Sequence, residues 1–171
     1  YDHVSPKAGV VYKYGQTHDV YANYRHGFRA PSVGTLFRSG SSLDTPDLKP
    51  VKTDSVEIGF RGLAYNQLSY ELAVYYMEKT DDIVSVIASD SERVSLNAGE
   101  TKHSGIELGL SSAISQTLSV NSSFSYSEQT YGDFTYLYQC FTCEVRNQLL
   151  NFDGNDVGKA PNTLGNVSFR Y

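Results

Sequence analysis

The chain has 171 residues, a length that suits one domain. Lys and Arg number 14 against 19 Asp and Glu, for a formal net charge of -5. This leaves no basic footprint for nucleic acid, and too little charge for a disordered chain. Mean hydropathy is -0.37, and no apolar run approaches the roughly 18 residues a membrane-spanning helix needs, a test that is blind to strands in which apolar and polar residues alternate.

Such alternation runs almost the whole length. Val4, Pro6, Ala8, Val10, Tyr12 and Tyr14 share one face of the first segment, with Ser5, Lys7, Gly9 and Lys13 on the other and Val11 breaking the pattern. Successive strand side chains point to opposite sides, so this reads as a two-faced strand. After a turn at Gly15–His18, Val20, Ala22, Tyr24 and Phe28 oppose Asn23, Arg25, Gly27 and Arg29. Val56, Ile58 and Phe60 then oppose Ser55, Glu57, Gly59 and Arg61; Leu68, Tyr70, Leu72, Val74 and Tyr76 oppose Ser69, Glu71 and Tyr75. Ile106, Leu108 and Leu110 oppose Gly105, Glu107 and Gly109; Leu118, Val120, Phe124 and Tyr126 oppose Ser119, Asn121, Ser123 and Ser125. Val167, Phe169 and Tyr171 close the chain against Ser168 and Arg170. The pattern predicts about seven strands and sustains helical spacing nowhere.

The connections alternate strictly. Gly15–His18, Leu63–Gln67 and Ala113–Gln116 are tight, whereas Pro31–Lys52, Thr80–Glu100 and Glu128–Asn162 are long. Transmembrane barrels carry short periplasmic turns at one end and long extracellular loops at the other; a soluble sandwich spaces its turns more evenly. Segments of about 10 to 12 residues also match a tilted membrane strand better than a soluble one. Tyrosine accounts for 14 residues and tryptophan for 0. Tyr12, Tyr14, Tyr24, Tyr76 and Tyr126 fall near strand ends, as an interfacial girdle would. The opposite face, with Lys7, Lys13, Asn23, Arg25, Arg29, Glu57, Arg61, Glu71 and Glu107, is too charged for a dry core. It looks either into an aqueous lumen or, on a soluble sheet, into bulk solvent. The start at Tyr1, in mid-pattern and with no leader, fits an excised piece.

Several stretches resemble the barrel region of TonB-dependent outer-membrane receptors. Residues 27–32 read GFRAPS; Pro46-Asp47-Leu48-Lys49-Pro50 resembles the NPDLKPE loop, with Thr45 for its Asn and Val51 for its Glu. Ser55–Gly62 is similar to a SYEIGLRG strand, Tyr75–Ile83 to YYxxxxDDI, Asn97–Gly109 to NAGxxxxxGxELG, and Asp153–Pro161 to DGxxxxxAP. These matches run in family order from end to end. The resemblance implies an all-β fold of antiparallel up-and-down transmembrane β-barrel strands in the Gram-negative outer membrane, with residues 1–171 a fragment of the barrel domain. The family's plug domain and TonB box are absent from these residues, and the whole barrel would hold about 22 strands.

In that setting Cys140 and Cys143, a CxxC in a long loop, are expected to form a disulfide, with metal binding the lesser reading. His3, His18, His26 and His103 lack ligand spacing and read as solvated or lumen-facing. Asp153–Asp156 resembles a calcium loop without its twelfth-position Glu and reads as a turn. No metal site, cofactor or catalytic set is expected, and no GxSxG surrounds a serine. Candidate ligand contacts at the extracellular mouth are Arg29, Phe37, Arg38, Tyr131, Tyr136 and Tyr138. The tyrosines offer contact area at low entropic cost or else pack against neighbouring loops; the guanidinium groups suit a carboxylate or catecholate ferric complex. The resemblance implies import of a ferric siderophore or related iron complex, driven by TonB through the plug, with outer-membrane lipid around the wall. Heme, cobalamin or a saccharide are alternative cargoes. The alternative from another class is a soluble or surface β-sandwich adhesin. An isolated fragment, with two open sheet edges, is expected to self-associate.

Overall fold

The computed structural model describes residues 2–37, 47–89, 92–139, 147–158 and 161–171. In chain order the elements are β1 (Lys7–Tyr14), β2 (His18–Arg29), α1 (Val33–Leu36), β3 (Val51–Ala64), β4 (Leu68–Thr80), β5 (Ile83–Ser89), β6 (Glu92–Asn97), β7 (Glu100–Ala113), β8 (Ser119–Asp133), β9 (Thr135–Gln139), β10 (Asn147–Asn151) and β11 (Thr163–Arg170). Seven strands form one sheet in the order β1-β2-β3-β4-β7-β8-β11, and β5–β6 and β9–β10 form separate hairpins. Setting the hairpins aside, neighbours in sequence are neighbours in space and every pairing is antiparallel. The sheet is an up-and-down stretch of barrel wall.

Turn chemistry explains the tight end. Gly15, at φ 71°, takes the left-handed position between β1 and β2, and Tyr65 and Asn66, at φ 52° and 56°, do so between β3 and β4. Asn tolerates that region and Tyr does not favour it. Between β7 and β8 the Ser115 hydroxyl accepts from the Thr117 and Leu118 amides, a side chain imitating a backbone turn.

At the other end the structure departs from the sequence reading. The long connections after β4 and β8 are not plain loops, since each holds a hairpin. β8 also runs on to Asp133, well past the last alternating apolar residue, Tyr126. From Ser127 to Thr130 both faces of β8 are polar, so the ladder continues while the pattern that announces it stops.

Almost nothing is buried beneath the sheet. Among the described residues the buried apolar ones are Tyr21, Leu48, Val51, Ala73, Ala98 and Phe134, several of them at the long-loop end. Val10 and Ile58 lie in one cross-strand row and Leu72 and Leu108 in the next; Val10 and Ile58 are more than half exposed. A β-sandwich would bury these residues against a second sheet, and among the described residues no second sheet faces them. The edge strands β1 and β11 are exposed at every position.

Candidate functional site

The outward face is organised in rows. Val10, Ala22, Ile58, Val74, Ile106 and Tyr126 stand in register across six strands, and Tyr12, Val20, Phe60, Leu72, Leu108 and Phe124 form the next row. Above them, toward the long loops, the row becomes polar: His26, Asp54, Glu78, Lys102. At this border three tyrosines point their hydroxyls to carboxylates. Tyr24 donates to Asp54 at 2.6 Å, Tyr76 to Glu78 at 3.3 Å, and Tyr126 to Glu128 at 2.8 Å. A ring in apolar surroundings with its hydroxyl in a charged layer is what a membrane interface selects. At the tight-turn end Tyr70 and His18 hydrogen-bond at 2.6 Å beside Phe60. From Asp54 to Ala64, β3 climbs about 34 Å at roughly 3.4 Å per residue. A tilt near 45° makes that about 24 Å of height, against an apolar band of about 25 Å.

The opposite face is polar and tied across strands. Tyr21 of β2 passes over Gly59 of β3, where a Cβ would collide with its ring, and donates to Glu71 of β4 at 3.2 Å. Arg61 stands 5.5 Å above the same ring and 3.6 Å from Asp19. Asn23 donates to Glu57 at 3.4 Å. Tyr75 stands over Gly105 in the same way. Beside this cluster lies an open trough of about 670 Å³ lined by residues including Glu57, Glu107 and Ser125. The carboxylates on this wall suit water or other polar groups, beside Leu108, Phe124 and Leu164, which also line the trough.

At the rim, segments distant in sequence are bolted together. Asn97 donates to the carbonyls of Lys49 (3.0 Å) and Asp81 (2.7 Å), and its Oδ1 accepts from the Lys49 amide at 2.9 Å. Asp81, at φ 57°, donates its amide to Gly99 O at 3.0 Å. Lys49 lies 3.8 Å from Asp81, Arg29 3.8 Å from Asp82, and Lys79 4.0 Å from Asp82. Ala98 is fully buried with Phe134, and Tyr131, Tyr136, Phe152, Val84 and Leu96 pack around them. Gly99 lies so close to the Asp133 carbonyl that a Cβ has no room. Asp153 accepts from the Phe134 amide at 2.7 Å and from Asn151 at 3.1 Å, and Gly154 turns at φ 76°. The carboxylate that suggested a calcium loop thus braces a turn. Among the described residues no three or more potential ligands converge as a metal cage.

The sequence model described as TonB dependent receptor-like, beta-barrel matches residues 1–171. The chain belongs to this family. It is similar in structure to the siderophore receptor PiuA from Acinetobacter baumannii, with a TM-score of 0.68 and 18% identity, over 95% of this chain and 23% of that one. For the siderophore receptor PirA from Pseudomonas aeruginosa the values are 0.65 and 17%, over 86% and 29%. For the copper transporter OprC they are 0.65 and 21%, over 75% and 21%. At such identities the likeness is one of fold, and the chain spans less than a third of each of these proteins.

Within this TonB-dependent receptor barrel, the candidate mouth residues separate. Arg29 ends β2 with its side chain 72% exposed, on a shallow cleft with Pro31, Thr35 and Ser85. Phe37 caps α1 and is 67% exposed. Tyr131 and Tyr136 are half-buried in the aromatic cluster: Tyr131 packs on Phe134 at 5.2 Å, and Tyr136 stacks on Phe152 at 5.7 Å with 6° between the rings. Tyr138 pairs with Gln148 across the β9–β10 hairpin. Arg38, Cys140 and Cys143 lie outside the described residues. The histidines follow the sequence reading in part: His103 is on the inner face, whereas the other three are on the outward side. His18 is on the outward face with Tyr70, His103 is buried on the inner face 3.1 Å from Thr101, and His3 meets His26 on the outward side. Asn97, Asp81 and Asp82 were visible only inside family-like words, with no signal of what they hold.

Proposed function

We propose that this chain forms part of the wall and outer mouth of an active transporter in the Gram-negative outer membrane. It would import a ferric siderophore or similar iron complex, energised by TonB acting on a plug that residues 1–171 do not include. The observation that carries this reading is the two-sided wall: uninterrupted apolar rows outside, edged by tyrosine–carboxylate pairs, and a hydrogen-bonded charged surface inside. Only a water-filled or plugged bore in a bilayer satisfies both faces. Family membership supports the transport role, and the relatives described as siderophore receptors support the cargo class. Arg29, Phe37, Arg38, Tyr131, Tyr136 and Tyr138 would line the mouth, with Phe37 and Arg29, the latter beside Asp82, exposed enough to meet cargo directly. No bond is made or broken in such a task, so the reading assigns no catalytic residue. Cells expressing the intact receptor should accumulate labelled ferric siderophore only when TonB is functional. Equal accumulation without TonB would overturn the proposal.

The further strands of the barrel would pair with β1 and β11. A polypeptide limited to residues 1–171 would expose both edges, whose unpaired amides and carbonyls recruit other strands. It is expected to sediment as oligomers or aggregates; a monodisperse monomer in plain buffer would count against that.

A further inference from the structure

We infer that His3 and His26 form a two-nitrogen site for a square-planar divalent transition metal, Cu2+ being the best fit, on the outer surface of the barrel rim. The two Nε2 atoms face each other at 2.7 Å. Two metal–nitrogen bonds of about 2.0 Å at a right angle place their nitrogens about 2.8 Å apart, so the observed spacing already matches, and each ring has only to swing its lone pair off the line between the nitrogens to meet the ion. A tetrahedral ion asks for a wider separation.

The surroundings prepare His26 as a ligand. Asp54, an acceptor when ionised, lies 2.8 Å from His26 Nδ1 and is itself held by the Tyr24 hydroxyl at 2.6 Å. That contact keeps the ring proton on Nδ1 and turns the Nε2 lone pair toward His3, the carboxylate–histidine relay that orients metal-bound imidazoles. His3 reaches this place because the chain leaves the β1 ladder at Pro6, whose carbonyl still accepts from the His26 amide at 2.9 Å. Its ring rests on Phe28, with centroids 4.6 Å apart. Binding displaces only the proton shared between the two Nε2 atoms, which moves to His3 Nδ1, so both rings enter as neutral ligands and water completes the plane. The metal would clip the segment before β1 onto β2. The site lies on the lipid-side surface, at the polar row above Tyr24, away from the bore. It is therefore independent of the import reading.

The test uses the intact receptor in detergent micelles, titrated with Cu2+ and followed by electron paramagnetic resonance. Wild type is expected to bind one ion with splitting from two imidazole nitrogens. His3→Gln and His26→Gln should each abolish that signal, and Asp54→Asn should weaken affinity about 10- to 100-fold. His3 is outside the ladder, so His3→Gln spares the sheet. Unchanged copper stoichiometry and spectrum in His3→Gln would overturn the inference, as would unchanged affinity in Asp54→Asn.

Discussion

The ring of Tyr21 lies across the backbone of Gly59, and the missing side chain there lets its hydroxyl reach Glu71 on the strand beyond. Glycine inside a strand ordinarily weakens it. Here the aromatic ring supplies the packing that Gly59 lacks and ties three strands together. Gly59→Val would drive the ring off and break its contacts with Glu71 and Arg61, at a cost of about 1–3 kcal/mol. In a Tyr21→Ala background the same change should cost far less, a coupling of about 0.5–3 kcal/mol. Denaturant titration of the lipid-refolded receptor measures both, and strictly additive effects would show that the ring does not depend on the glycine.

The outward rows make a prediction about sidedness. Ile58 sits mid-height with apolar neighbours Ala22 and Val74 on either side. Arginine near a bilayer midplane costs about 2–4 kcal/mol on a barrel's lipid face. Ile58→Arg should therefore destabilise the lipid-embedded receptor by that amount, while Ser55→Arg, on the inner face and opposite Arg25, should cost about 1 kcal/mol or less, as expected of a like-charge cross-strand pair. The comparison uses midpoints in urea with the receptor refolded into the same lipid. Similar losses at both positions would remove the case for lipid on the Ile58 side.

That sidedness was legible because a period of two is local: Val56, Ile58 and Phe60 announce their face without reference to any other strand. Turns were legible for the same reason, each being a few residues around Gly15 or Ser115. What escaped the sequence is what distance creates. Asn97 holds Lys49 and Asp81 from 48 and 16 residues away, and no spacing rule joins three such positions. His3 and His26 likewise meet only because Pro6 ends the ladder. The hairpin β5–β6 was hidden because its first strand, Ile83-Val84-Ser85-Val86-Ile87, has apolar residues at adjacent positions, so no period of two marks it.

Asn97 should prove a rim bolt. Asn97→Ala removes two donated bonds and one accepted bond, leaving backbone groups at Lys49 and Asp81 without partners. Each costs about 1–3 kcal/mol if it stays dry, less once water enters. The expected outcome is local opening: faster hydrogen exchange at the amides of Lys49 and Asp81, with exchange at Ile58 and Leu108 unchanged. Exchange rates untouched at Lys49 would mean that the Arg29–Asp82 and Lys49–Asp81 pairs hold the rim unaided.

Phe134 separates the mouth's scaffold from its contact surface. It is 5% exposed and touches Tyr131, Tyr136 and Phe152 at ring separations of 5.2 to 5.7 Å. Phe134→Ala empties the middle of that cluster, at a cost of about 3–5 kcal/mol for a fully buried ring. The loss should fall on the hairpins, because the wall strands have their own ladder and lipid contacts. Limited proteolysis is then expected to cut β9–β10 faster while the barrel remains resistant, and cargo affinity should drop with it. Substitution of Phe37 by Ala, at an exposed ring with little packing to lose, should lower affinity without faster cleavage. If Phe134→Ala left proteolysis and affinity both at wild-type values, the aromatic cluster would not be what positions the mouth.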